Sequence, residues 1–92
     1  MTTQEKIELV CSNFSTFLKE KNRRYGDSAM APIKIFSRID ADSQLCNRID
    51  DKLNRIKNNS GPLRKNDLCD VVGYAILLLI ANDWTNFNDL LD

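Results

Sequence analysis

The stretch that most constrains this chain runs from Asn66 to Ala81. It opens polar and acidic, then becomes the longest apolar run in the sequence, Val71 to Ala81 interrupted only by Gly73 and Tyr74. Advancing about 100° per residue, a helix here puts Leu68, Val72, Ala75 and Leu79 on one stripe. Val71, Ile76, Leu78 and Ile80 flank that stripe, so little of the surface is left for water. A helix apolar nearly all round is expected at the centre of a bundle. Asp67, Asp70 and Tyr74, at i, i+3 and i+7, share the remaining face, and chemistry is expected there.

The rest of the chain supplies partners for such a helix. Thr2 and Glu5 form a capping-box pattern, and Ile7, Val10, Cys11, Phe14, Phe17 and Leu18 follow at helical spacing. That helix fades through the basic end Lys19–Arg24 and stops at Tyr25-Gly26-Asp27-Ser28, where Gly26 is free to take a positive φ. Residues 27–42, broken by Pro32, read as irregular, with a short helical turn around Ile35–Ile39. A second helix is expected from Asp42 or Ser43, with Leu45, Ile49, Leu53 and Ile56 as its apolar stripe. Asn58-Asn59-Ser60-Gly61-Pro62 ends it. After the central helix, Asp83 to Asn86 form a stop, and Phe87, Leu90 and Leu91 suggest a short amphipathic tail that packs on the bundle or on a neighbour. The expectation is a single all-α domain over residues 1–92: a small bundle of three main helices and a short C-terminal one.

At 92 residues one core is only marginally sufficient, so a homo-oligomer is expected. The charges balance overall but not along the chain. Residues 1–65 carry 13 basic and 8 acidic groups, a net of +5, whereas residues 66–92 carry five Asp and no base. A general nucleic-acid-duplex binder would be basic overall. A split of this kind suits a small anion or a complementary subunit. Cys11, Cys46 and Cys69 are isolated, and there is no histidine, which argues for reduced packing thiols and against zinc. The N-terminal residues lack the layout of a signal peptide and the apolar run is too short to span a bilayer, so a cytoplasmic location is expected, with no membrane partner.

Three stretches carry candidate chemistry, and each also has a plain structural explanation. Asp67 and Asp70 point the same way and can share a Mg²⁺. They equally read as a helix cap, with Asp67 at the N-cap position and Asp70 near N3. Arg48, Lys52 and Arg55 form a cationic ridge fit to grip phosphates, or a solvated face with pairs such as Arg48–Asp51 and Asp51–Arg55. Lys52, beside the apolar stripe, is expected either to snorkel or to reach a buried anion. Lys21, Asn22 and Tyr25 offer phosphate contacts and a stacking ring, or an ordinary helix end anchored by a tyrosine. Trp84 and Phe87 are expected in a core or an interface.

Taken together, Lys21-Asn22-x-x-Tyr25-Gly26-x-Ser28, Arg48-x-x-Asp51-Lys52-x-x-Arg55 and Asp67-x-x-Asp70-x-x-x-Tyr74-Ala75 resemble a small helical family of phages and bacteria, the nucleotide-modification-associated helical domain. The resemblance covers most of the chain, from about residue 15 to residue 82. The last motif also resembles the ExxD helix of MazG-like all-α nucleoside triphosphate pyrophosphohydrolases. Those enzymes hold Mg²⁺ on carboxylates from two helices and cut between the α and β phosphates. Here the preceding helix has adjacent Asp50 and Asp51, which diverge by about 100°, and then Lys52, so at most three carboxylates converge. A lysine binds phosphate but does not activate water as a metal does, which favours binding over hydrolysis.

The resemblance thus implies a phage-type protein, in the host cytoplasm, that sequesters a cyclic or modified nucleotide such as a host-defence signal. Lys21, Arg48, Lys52 and Arg55 would meet phosphates, Tyr25 or Tyr74 would stack on a base, and Asn22, Asp51, Asp67 and Asp70 would complete the pocket, with no catalytic residue and no cofactor. One alternative is a Mg²⁺-dependent MazG-like pyrophosphohydrolase with Asp51, Asp67 and Asp70 as ligands. A second is a protein-interaction inhibitor of a host factor.

Overall fold

The structure is a computed structural model and describes residues 1–30 and 40–91. Among these are three α-helices, α1 (Thr3–Arg24), α2 (Ala41–Asn58) and α3 (Lys65–Ala81), then a 3-10 turn at Asn88–Leu90, and no strand. The protein is an all-α bundle. No described helix is long and apolar enough to cross a membrane.

The first helix starts where the sequence indicates. Thr2 accepts from the Glu5 amide at 3.1 Å and Glu5 accepts from the Thr2 amide at 3.2 Å, closing the capping box. It ends at Tyr25, and both Gly26 and Asp27 turn left-handed, at φ 60° and 61°. The second helix begins slightly earlier than expected. Its N-cap is Asp40, whose carboxylate accepts from the Ser43 amide at 2.8 Å, so Asp42 and Ser43 lie inside the first turn. The expected helical turn at Ile35–Ile39 lies outside the described residues.

The start of α3 departs further from expectation. Its N-cap is Arg64, which makes no side-chain cap, and Asp67 sits one turn in. Asp67 is therefore not the cap residue; it faces α2 instead. α2 and α3 run antiparallel and are tied at both ends: Lys52 meets the start of α3, and Asn82, just past its end, donates to Asp42 at 3.0 Å. Between these ties lies the core, with Leu45 1% exposed and Leu77 9%.

The α3 stripe expected to form the core seam does not. Leu68 and Val72 are 47% and 39% exposed and Ala75 is exposed, while Gly73 and Leu77 are the buried positions. On α2, Leu53 is likewise half exposed, although Leu45, Ile49 and Ile56 turn inward. The cause is the number of neighbours. Among the described elements α3 is covered closely by α2 alone, and α1, which contains no buried residue, approaches it only along one line. Gly73 marks that approach: a Cβ there would lie 3.4 Å from the Leu18 Cδ1 atom. The C-terminal tail does not pack on the bundle, since Trp84, Phe87, Leu90 and Leu91 are 47–81% exposed.

Candidate functional site

Where the three helices converge, between the end of α1, the middle of α2 and the first half of α3, they leave an open cleft of about 440 Å³. Each wall follows from helical spacing. From α3 come Asp70, Gly73, Tyr74 and Leu77, at i, i+3, i+4 and i+7. From α1 come Phe17, Lys21 and Tyr25, each one turn after the last, with Leu18 and Asn22 beside them. Helix α2 contributes Arg48. Gly73 lies beneath Leu18 where α1 approaches α3, and about one turn away along each helix Lys21 reaches Asp70.

Asp70 is the electrostatic centre. Its side chain is 11% exposed and accepts from Lys21 at 3.2 Å and from Lys52 at 2.9 Å, one lysine per oxygen. Lys52 also lies 3.7 Å from Asp67. Burial pushes the Asp70 carboxyl up, but the hydrogen bonds and charges of Lys52 and Lys21 outweigh it and hold the pKa below the usual carboxylate range. The Lys52 ammonium is held above its ordinary value, chiefly by its hydrogen bond to Asp70. Lys52 therefore reaches a half-buried anion, the second of the two outcomes open to it in the sequence. The Lys21 ammonium also lies over the Phe17 ring, 5.5 Å from its centroid.

Arg48 differs from both lysines. Its guanidinium stands over the Tyr74 ring at 5.8 Å, and it makes no ion pair among the described residues. The Arg48–Asp51 and Asp51–Arg55 pairs anticipated on α2 do not form there. Arg23 and Arg24 are engaged elsewhere, gripping Glu20 at 2.6 and 2.9 Å and holding its carboxyl below the usual range.

Of the ten residues picked out in the sequence, Lys21, Asn22, Tyr25, Arg48, Asp70 and Tyr74 line the cleft. Lys52 and Asp67 stand behind Asp70 as its support. Asp51 and Arg55 are exposed on α2 and do not line the cleft. The metal set of Asp51, Asp67 and Asp70 consequently does not assemble. No group of three or more His, Cys, Asp or Glu is placed to hold a metal among the described residues, and Asp67 and Asp70 both face Lys52.

Phe17, Gly73 and Leu77 were not among the residues picked out in the sequence. Phe17 was legible as the residue one turn before Lys21. Gly73 was legible as a glycine inside an apolar helix, where it costs about 1 kcal/mol relative to alanine unless something must come close. Comparison with protein-family models, with curated proteins and with solved structures gives no match.

Proposed function

We propose that this chain binds a nucleotide or a nucleotide-derived signal, cyclic or modified, in the cleft between its three helices and sequesters it unchanged. The observation that carries the reading is the convergence on one opening of about 440 Å³ of a lysine, two tyrosines and an arginine that has no ion pair among the described residues. Clefts of about 300–1,000 Å³ are typical of small-molecule sites. Arg48, with no carboxylate partner among the described residues, receives a phosphate as a bidentate donor. Lys21 supplies a second cation, aimed by Asp70 and Phe17. Tyr25, 67% exposed at the cleft mouth, offers its ring to a base. Asn22 can read a base edge, since its amide both donates and accepts.

Binding without conversion is supported by what surrounds Asp70. A pyrophosphohydrolase needs carboxylates free to hold Mg²⁺ and orient water, whereas Asp70 and Asp67 face lysine ammonium groups. The resemblance to a phage and bacterial nucleotide-associated family points the same way, and sequestration of a defence signal is the biological role that fits it.

The test is calorimetric titration of the protein with mononucleotides and cyclic dinucleotides in EDTA. A binding ligand is expected to lose at least tenfold in affinity with Arg48→Ala or Tyr25→Ala, about 1.4 kcal/mol or more. Asp51→Asn and Arg55→Ala are expected to stay within about twofold of wild type. Equal losses from the two pairs of variants would remove the cleft from the reading.

A further inference from the structure

A second depression runs along the same two helices, on the adjoining stripe. It lies between α1 and α3, measures about 530 Å³, and its walls are largely apolar: Val10, Phe14, Leu68, Val72, Ile76 and Ile80. Leu18, Asn22, Cys69 and Leu77 line both this groove and the ligand cleft, so the two share a wall. The proposed function makes no use of the groove. Several of its residues remain well exposed, with Val10 at 63%, Leu68 at 47% and Ile80 at 45%.

We infer that this groove is filled by the C-terminal segment, Trp84 to Leu91, of a second copy of the chain. The exposed area leaves room for a partner of protein size. The chain exposes 7666 Å², whereas a folded monomer of 10.6 kDa is expected to expose about 5,500 Å². The excess, about 2,000 Å², is more than twice the roughly 800 Å² that each partner buries in a standard interface. The radius of gyration, 15.1 Å, likewise exceeds the about 12 Å expected of a compact 92-residue chain.

The tail is chemically matched to the groove. Trp84, Phe87, Leu90 and Leu91 are 58%, 47%, 73% and 81% exposed, an apolar surface left largely open. The charge accompanying it is acidic: Asp83 and Asp89 lie within a C-terminal portion that holds no basic residue. The charged residue lining the groove is Lys19, opposite in sign to the tail. Apolar contact flanked by opposite charges fixes partner and register together.

The tail does not occupy its own groove: none of Trp84 to Leu91 is among the residues lining it. Just past α3 the Asp83 backbone turns left-handed at φ 57°, the Trp84 amide donates to the Leu79 carbonyl at 2.9 Å, and the Asp83 amide donates to the Ile80 carbonyl at 2.9 Å. These bonds set the turn by which the tail leaves the helix end, and the groove runs along the helix flank between Ile80 and Leu68. A tail seated in a neighbour also stands beside that neighbour's ligand cleft, through the shared wall.

Trp84 is the only tryptophan, so its emission reports the tail directly. The experiment is sedimentation velocity of the full chain over a dilution series, with Trp84 emission recorded on the same samples. The expected result is an assembly larger than one chain with blue-shifted emission, both reverting together on dilution. Leu90→Ser combined with Leu91→Ser, and separately Val10→Glu, are expected to give a monomer with solvent-exposed Trp84 and unchanged far-UV circular dichroism. A wild-type chain that sediments as a monomer at every concentration overturns the inference, and so does an assembly that keeps Trp84 solvent-exposed or survives both variants. If a variant loses helicity as well, the wild-type dilution series decides: emission that does not change as the assembly dissociates overturns the inference.

Discussion

Helix α3 has two flanks drawn from the same apolar run, and they are built differently. Toward α2 it closes: Leu45 and Leu77 are buried, Lys52 bridges to Asp67 and Asp70 at one end, and Asn82 reaches Asp42 at the other. Toward α1 it stays open, touching along the Gly73–Leu18 line and at Lys21–Asp70, with a cleft and a groove on either side. The first flank holds the fold together, and the second is where surface is available to bind something. Few buried contacts also mean low local stability, the end of the range from which binding elements are drawn.

The contrast can be broken most forcefully at its closed side. Leu45→Ala removes the most deeply buried side chain and is expected to cost about 3 kcal/mol, read as a shift in the denaturant midpoint. Leu53→Ala, on the same helix but 50% exposed, is expected to cost less than about 1 kcal/mol. Similar losses at the two positions would mean that the α2–α3 seam is not where stability resides.

A second perturbation acts where the flanks meet. Asp70→Asn leaves Lys21 and Lys52 without their shared anion and is expected to cost on the order of 2 kcal/mol near neutral pH. The sign of its pH dependence follows from the shifts. The folded pKa of Asp70 is depressed, so its contribution is present above the unfolded value of about 3.9 and is lost as pH falls through the lower folded value. The folded pKa of Lys52 is raised, so its contribution is present below about 10.4 and is lost as pH rises through the higher folded value. The gap between wild type and Asp70→Asn, measured by thermal melting, is therefore widest between those limits and narrows at both extremes. A gap that stays constant through acid would show that Asp70 contributes through shape and not charge.

The smallest effect sharpens the comparison from the open side. At Gly73 an added Cβ meets only ordinary contacts, at 3.4 and 3.9 Å from Leu18 and Phe14. Gly73→Ala is expected to stabilise by up to about 1 kcal/mol through helix propensity. A loss of that size instead would show that α1 is packed as tightly as α2.

Helix positions and the cap of α1 were legible because they depend on near neighbours in sequence. Thr2 and Glu5 cap each other three residues apart, and Gly26 stops α1 where left-handed backbone is needed. The face shared by Asp67, Asp70 and Tyr74 was legible for the same reason. What periodicity does not encode is how many neighbours a helix has. Leu68 and Val72 have the spacing of a core seam and are nonetheless exposed, because covering them requires α1 to pack more closely than it does. Asp51 and Arg55 were plausible pocket residues by charge, yet the α2 rotation that turns Leu45 inward and sends Lys52 to Asp70 leaves both facing water. Arg64 displaced Asp67 from the cap position because the helix continues one turn further back than the best capping residue.

The most direct test of the central claim, that the three-helix cleft holds a nucleotide and leaves it unchanged, is a thermal-shift screen against nucleotides and cyclic dinucleotides with and without Mg²⁺. Each stabilising ligand would then be recovered and identified. The account predicts a ligand that raises Tm in the absence of Mg²⁺, is recovered intact, and loses its effect with Arg48→Ala. A stabilisation that requires Mg²⁺ and returns a monophosphate with pyrophosphate, or no stabilisation by any member of the panel, would contradict it.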